Sequence, residues 1–133
     1  LYSSAASDVY KRQKYDRVEK DCASEPTDYL DIHGTKDALM KYGGGRQHGA
    51  HYHSVKQSLR GIAKENGCNP FPKRRRKEAV EHFTWRVCDA RTEQYTIHGG
   101  THTWNGGATD HSGLVKAEWT TDTVLDFFHI AHP

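Results

Sequence analysis

With 133 residues, the chain is long enough for one small domain with its own hydrophobic core. Its formal net charge of +2 is too close to zero to indicate a nucleic-acid partner. No stretch approaches the roughly 18 consecutive apolar residues of a membrane span, so a membrane protein is not predicted.

The first 13 residues are predicted to be foreign to the protein. Residues 3–13 read SSAASDVYKRQ, which matches one reading frame of a transposase sequencing adapter. The alternative is a genuine polar arm with a Tyr10-Lys11-Arg12 patch. On the adapter interpretation, residues 1–13 are a non-native arm that contributes nothing to the native fold, as a fusion scar would not. Residues 14–133 are then the biological sequence, and sequence upstream of Lys14 is expected to be missing.

A helix following Ser54 has the strongest local signals. Ser54 and Gln57 have the spacing of a capping box, a hydroxyl three residues before a glutamine. Asn66-Gly67 supplies a stop signal. The apolar positions between them follow helical spacing: Val55, Leu59, Ile62 and Ala63.

Three strands and a second helix complete the predicted elements. The strands cover Thr27–Ile32, Ala79–Cys88 and Glu93–Ile97. Thr120-Thr121-Asp122 is predicted to cap the last helix. The order strand, helix, strand, strand, helix favours an α/β layer structure with part of its sheet absent.

Two polar segments are predicted as loops. Asp37–His53 is a long glycine-containing segment. Lys73–Lys77 consists of five consecutive basic residues. Because this run has no interleaved aromatic side chain, it is interpreted as a solvated loop rather than a nucleic-acid site.

Two strands are each followed by a glycine turn and a residue with acid–base chemistry. His33-Gly34 precedes Asp37, and Gly99-Gly100 precedes His102. Catalytic side chains commonly lie on loops at strand ends. An aspartate and a later histidine, each after its own strand, form two thirds of a hydrolase triad.

Several short motifs resemble the secreted α/β-hydrolase family of polyhydroxybutyrate depolymerases and feruloyl or acetylxylan esterases. The resemblance runs from about Cys22 to Pro133, with the motifs in the order expected for that family. The fold it implies is the C-terminal part of an α/β-hydrolase. Its motifs are His33–Asp37 with Tyr42-Gly43-Gly44, Asn66-Gly67-Cys68, Trp85–Cys88, Gly99–Trp104, and Asp126-Phe127-Phe128 with His132-Pro133.

By position, the resemblance implies that Asp37 is the triad acid and His102 the general base. In this family the serine precedes both, within a G-x-S-x-G turn, and the 133 residues contain no such turn. The candidate serines that lack this glycine setting are Ser24, Ser54, Ser58 and Ser112. The parent protein is therefore expected to be a carboxylic ester hydrolase, while this fragment is expected to be inactive.

Three positions depart from the family pattern. Asn105 stands where a proline is usual, Thr101 where a glycine is usual, and Lys41 where a proline is usual. None of these removes a triad group. Trp104, beside the general base, is predicted either to line a substrate cleft or to pack within the fold.

The resemblance also implies a disulfide between Cys68 and Cys88, which leaves Cys22 over. A disulfide predicts an oxidising compartment, and hence a secreted or periplasmic protein. The alternative is three reduced thiols.

The expected substrate is an ester, either a hydroxyalkanoate polyester or a plant cell-wall xylan with feruloyl or acetyl groups. No cofactor and no metal is predicted. A metal site at His48, His51 and His53, or at His98 with His102, lacks an acidic or cysteine ligand. A second alternative is a non-catalytic carbohydrate- or polymer-binding module.

Overall fold

A computed structural model describes residues 25–132 of the chain. The predicted foreign arm, residues 1–13, and Cys22 lie outside the described residues. Within the described range the chain forms six strands and two helices: β1 (Tyr29–Gly34), β2 (Gly45–Gln47), β3 (Ala50–Tyr52), α1 (Val55–Glu65), β4 (Lys73–Lys77), β5 (Val80–Thr84), β6 (Thr92–Ile97) and α2 (Trp119–Phe127).

Four of these strands form one mixed sheet in the order β1-β6-β5-β4. Strands β1 and β6 are parallel, and their register pairs Tyr29 with Thr92 and Gly34 with Ile97. Strand β5 is antiparallel to both β6 and β4. Because β1 and β6 are parallel neighbours, their carboxyl ends lie side by side, and the loops that follow them start from the same end of the sheet.

The predicted fold class, the C-terminal part of an α/β-hydrolase fold, is wrong for residues 25–132. The structure is mostly sheet, the sheet is mixed, and the two helices in this range have only 11 and 9 residues. The physical reason lies in the basic run. Lys73–Lys77 forms β4 and pairs with β5 across a turn at Glu78 and Ala79, and an antiparallel pair needs no helical crossover.

The prediction for α1 is confirmed at both ends. The Ser54 hydroxyl accepts the backbone N–H of Gln57, and the Gln57 side chain accepts the backbone N–H of Ser54. At the other end Asn66 is the C-cap, and Gly67 follows with a φ of 64°. Local capping chemistry therefore sets the limits of this helix.

Other predicted limits are wrong in detail. The predicted loop 37–53 contains the hairpin of β2 and β3, and the predicted strand Ala79–Cys88 ends at Thr84. Helix α2 begins at Trp119 without a side-chain cap, because Thr120 Oγ1 instead donates to the backbone oxygen of Asn105 at 2.6 Å.

The central strand β6 carries an unusually polar buried surface. Thr92, Gln94 and Thr96 are almost fully buried. Gln94 Nε2 and Thr96 Oγ1 are 2.9 Å apart, so these groups satisfy part of each other's hydrogen-bonding capacity. The buried apolar side chains are Met40, Tyr52, Val55, Leu59, Ala63, Ile97 and Phe127.

The implied disulfide is confirmed. Cys68 and Cys88 are bonded, with 20 residues of sequence separation. The bridge closes the segment that contains β4 and β5, and thereby ties the base of this hairpin to the end of α1. Separately, none of the helices in residues 25–132 has the length and apolar character needed to cross a membrane.

Candidate active site

The loops after β1 and β6 are joined by backbone hydrogen bonds. The Thr35 N–H donates to the Ile97 carbonyl at 3.0 Å, and the Lys36 N–H donates to the Gly100 carbonyl at 2.8 Å. The Thr35 hydroxyl in turn accepts the Gly99 N–H at 2.9 Å. The two loops therefore form one hydrogen-bonded unit at the carboxyl ends of the parallel strands.

Glycine is required where these loops meet. A Cβ at Gly34 would overlap the backbone carbonyl of Gly100, which cannot move aside as a flexible side chain can. Gly99 has a φ of 87°, in the left-handed region where other residues are strained. These glycines allow the two backbones to approach closely and bring the side chains that follow them into contact.

The structure places Asp37 and His102 in direct contact. His102 Nδ1 lies 2.7 Å from Asp37 Oδ2, although 65 residues separate them in sequence. The Asp37 side chain is 6% exposed and that of His102 is 33% exposed. A buried carboxylate thus holds one nitrogen of an imidazole whose ring extends to the surface, which is the arrangement of a triad acid and base.

The carboxylate of Asp37 is fixed by the backbone as well. Its Oδ1 accepts the N–H groups of Leu39 and Met40 at 2.9 and 2.8 Å. Near Oδ2, His33 Nε2 lies at 3.4 Å and donates its proton to the Met40 carbonyl at 2.7 Å. The aspartate cannot rotate without breaking these bonds, so His102 contacts a pre-oriented acceptor.

Burial and hydrogen bonding act in opposite directions on Asp37. Burial raises the pKa of its carboxyl, while the hydrogen bonds from His102 and from the Met40 N–H lower it. Charge on His102 and His33 lowers it further, and the pKa of Asp37 lies below its ordinary value. Asp37 is therefore ionised at neutral pH, as an acceptor for an imidazole N–H must be.

Trp104 packs against α2. Its Nε1–H donates to Thr121 Oγ1 at 3.0 Å, and the side chain is half-buried. The next residue, Asn105, is buried, and its Nδ2 donates to the Thr103 carbonyl at 3.2 Å. Of the two roles predicted for Trp104, these contacts favour packing of the His102 loop onto the helix.

The serines among the described residues have structural positions. Ser54 caps α1, Ser58 is buried within α1, and Ser112 lies in an exposed loop where its hydroxyl accepts the Leu114 N–H. The fourth candidate serine, Ser24, lies outside the described residues.

Two more histidine–carboxylate pairs occupy the sheet, and sequence reasoning missed both. His98 Nε2 lies 2.8 Å from Glu81 Oε2, and His82 Nε2 lies 2.7 Å from Glu93 Oε2. His82 also stacks on Tyr95, with ring centroids 4.0 Å apart. These contacts depend on which strands are neighbours and in which register, and no local sequence signal specifies that.

His33 and His98 lie at strand ends and are both hydrogen-bonded, His33 Nε2 to the Met40 carbonyl and His98 Nε2 to Glu81. Two of the histidines considered as metal ligands lie in the hairpin of β2 and β3. His51 lies in β3 and His48 in the turn before it. Across residues 25–132, no three His, Cys, Asp or Glu side chains form a group that could hold a metal ion.

Comparisons of the chain with protein-family models, with curated proteins and with solved structures found no match. A functional assignment therefore rests on the geometry of the site and on the chemistry of its residues.

Proposed function

We propose that the parent protein of this chain is a serine-dependent carboxylic ester hydrolase in which Asp37 and His102 are the acid and base of the triad. One observation carries the proposal: the 2.7 Å contact between His102 Nδ1 and a buried, backbone-oriented carboxylate. The two residues follow adjacent parallel strands, so the fold itself brings them together.

The contact determines how the imidazole would act. Because the Nδ1–H donates to Asp37, Nε2 is the nitrogen that accepts the proton of a serine hydroxyl as the hydroxyl attacks the ester carbonyl. His102 then returns this proton to the leaving alkoxide. Asp37 keeps the imidazole in this tautomer and stabilises the imidazolium formed in between. Water, deprotonated by the same Nε2, next attacks the acyl-serine, the acid is released and the proton returns to the serine oxygen; the proposal includes no cofactor.

The nucleophile is assigned to another part of the parent protein. The 133 residues contain no G-x-S-x-G turn, and the resemblance to depolymerases and esterases places that turn before Asp37. The same resemblance supports a polymeric ester as substrate, a hydroxyalkanoate polyester or a feruloylated or acetylated xylan. The Cys68–Cys88 disulfide supports secretion.

The uninterrupted parent gene tests the proposal. We expect it to encode a G-x-S-x-G turn upstream of Asp37, and its purified product to hydrolyse p-nitrophenyl esters. Hydroxybutyrate oligomers, ethyl ferulate and acetylated xylan, supplied to the same enzyme, distinguish the substrate classes. A parent protein without that serine, which binds polymer but does not cleave esters, would establish the polymer-binding alternative.

The 133-residue chain provides an independent check. It is expected to show no ester turnover and no labelling by a fluorophosphonate probe, because it lacks the serine setting that such probes require. Stoichiometric labelling of this chain would contradict the assignment of the nucleophile to another segment.

A further inference from the structure

The basic run forms an exposed strand at one edge of the sheet. All five residues of β4, Lys73–Lys77, are exposed, and β4 is the last strand in the order β1-β6-β5-β4. Successive side chains of a strand point to opposite sides. The run is therefore a regular array rather than the solvated loop that its composition predicts.

Three of the five cations share one side of the strand. Lys73, Arg75 and Lys77 alternate in sequence and are spaced by about 6.7 Å, so their row extends about 13 Å. The other two have partners: Arg74 pairs with Glu81, and Arg76 Nε donates to the Glu78 carbonyl. None of the ion pairs found among residues 25–132 includes Lys73, Arg75 or Lys77.

The neighbouring strand does not neutralise this row. Opposite Lys73, Arg75 and Lys77 the register places Thr84, His82 and Val80, which include no carboxylate. The nearest histidine, His82, already contacts Glu93. No carboxylate directly opposes the three cations, so they repel one another along the row, and a bound polyanion would relieve that repulsion.

Charge on an edge strand also prevents unwanted strand pairing. In this chain every position of the edge strand is basic. The hairpin is also held in a fixed shape, by the β4–β5 ladder and by the Cys68–Cys88 bridge. A pre-organised linear row of cations is suited to a linear partner whose negative charges recur along its length.

We propose that the row formed by Lys73, Arg75 and Lys77 binds an anionic polysaccharide, such as a polymer of uronic acids. The disulfide that closes this segment favours an oxidising compartment outside the cytoplasm. Carboxylated polysaccharides are abundant linear polyanions in such surroundings, while nucleic acids are chiefly intracellular. The inference goes beyond the ester hydrolase function, and it does not depend on Asp37 or His102.

Binding of polygalacturonate to the 133-residue chain tests this proposal. We expect binding that weakens by about tenfold or more between 50 and 200 mM NaCl, because three charge contacts release counterions. The triple variant K73Q/R75Q/K77Q should bind about tenfold more weakly than the wild type, and should show a smaller salt dependence. Isothermal titration calorimetry measures both.

Helix α1 offers a matched control. Lys56, Arg60 and Lys64 are exposed at helical spacing, and they comprise the same two lysines and one arginine. The variant K56Q/R60Q/K64Q loses the same charge and should bind polygalacturonate as the wild type does. Equal losses in the two triple variants would overturn the proposal, because they would show a response to net charge alone.

Two further ligands complete the test. Unsubstituted neutral xylan should not bind, and equal affinity for it would overturn the assignment to charged groups. Single-stranded DNA should bind more weakly than polygalacturonate. A tighter complex with DNA would contradict the proposed polysaccharide partner and identify a nucleic acid in its place. Circular dichroism checks the fold of each variant, and the single variant R75Q keeps the test decisive if the triple variant unfolds.

Discussion

The two carboxylate oxygens of Asp37 have different partners. Oδ1 accepts two backbone N–H groups of its own loop, while Oδ2 accepts the imidazole of His102. The bonds at Oδ1 orient the carboxylate. The bond at Oδ2 then holds His102, which follows a different strand. The chemistry of His102 therefore depends on a group that is itself held by the backbone.

Replacing Asp37 by asparagine in the proposed parent hydrolase tests this dependence. The amide can present an N–H to His102 Nδ1, which moves the imidazole proton to Nε2 and prevents that nitrogen from accepting the serine proton. We expect kcat to fall on the order of 10⁴-fold with a small change in KM. Steady-state hydrolysis of a p-nitrophenyl ester measures both constants.

The exposed pair of Asp126 and His132 provides the control for that substitution. Their contact of 2.8 Å resembles the one at Asp37, but the Asp126 side chain is 74% exposed. Asp126→Asn should leave turnover unchanged. If Asp37→Asn retained a tenth or more of the wild-type kcat, Asp37 would not be the triad acid.

At the scale of elements, the parallel pair of β1 and β6 positions the site through the contact between Gly34 and Gly100. Gly34→Ala should destabilise the fold by about 1–3 kcal/mol, because its Cβ would force the Gly100 carbonyl away. It should also lower ester turnover of the parent by separating the two loops. Urea denaturation of the 133-residue chain measures the free energy of unfolding.

Gly61 is a control position at which an added Cβ should stabilise the fold. It lies in α1, and a Cβ there would meet nothing within 4 Å. Gly61→Ala should stabilise the chain by about 0.5–1 kcal/mol, because alanine loses less backbone entropy in a helix. If Gly34→Ala were as well tolerated as Gly61→Ala, the close approach of the two loops would not constrain the site.

The Cys68–Cys88 bridge acts on a different pair of elements, the hairpin of β4 and β5. Because it closes a loop of 20 residues, replacing both cysteines by serine should lower the free energy of unfolding by about 2–4 kcal/mol. Chemical denaturation without reductant measures this change. Cys22→Ser, which leaves both bridge sulfurs in place, is the control, and an equal loss from it would contradict the assignment.

Helix α1 could be predicted from the sequence because its signals are local, whereas the strand β4, which depends on pairing, could not. The capping box at Ser54 and the stop at Asn66 define α1 because all their contacts lie within a few residues. Strand β4 has no such signal. Its five basic residues are typical of a loop, and only the neighbouring β5 makes them a strand.

The same distinction applies to the candidate site. Asp37 and His102 could be predicted as partners because each follows a strand and a glycine turn, a pattern visible along the chain. The pairs His98–Glu81 and His82–Glu93 could not be predicted. Each connects β5 with β6 or with the residue that follows β6, and the sequence does not specify the register of these two strands. The fold class was predicted wrongly for the same reason.

At the scale of the whole fold, three buried carboxylates within residues 25–132 are each held by a histidine. For Asp37, Glu81 and Glu93, burial raises the pKa, but hydrogen bonds and positive partners outweigh it and leave the pKa below the ordinary value. In the unfolded chain these groups regain ordinary values of about 3.9 for aspartate and 4.3 for glutamate. The unfolded state therefore binds more protons than the folded state in the acid range.

Because the unfolded state binds more protons than the folded state, the fold is expected to lose stability in acid. The contribution of each carboxylate is fully present above its unfolded pKa, and it is lost as the pH falls through the lower folded value. Glu93→Gln should remove the contribution of a side chain that contacts both His82 and Arg91 at 2.7 Å, lowering the free energy of unfolding at pH 7 by about 1–3 kcal/mol. The loss of stability of this variant from pH 7 to pH 3 should be smaller than that of the wild type, as urea denaturation at the two pH values measures.

Glu25→Gln, at an exposed position, is the control and should lose as much stability from pH 7 to pH 3 as the wild type does. If Glu93→Gln also lost as much as the wild type, the buried pair of Glu93 and His82 would not govern acid unfolding.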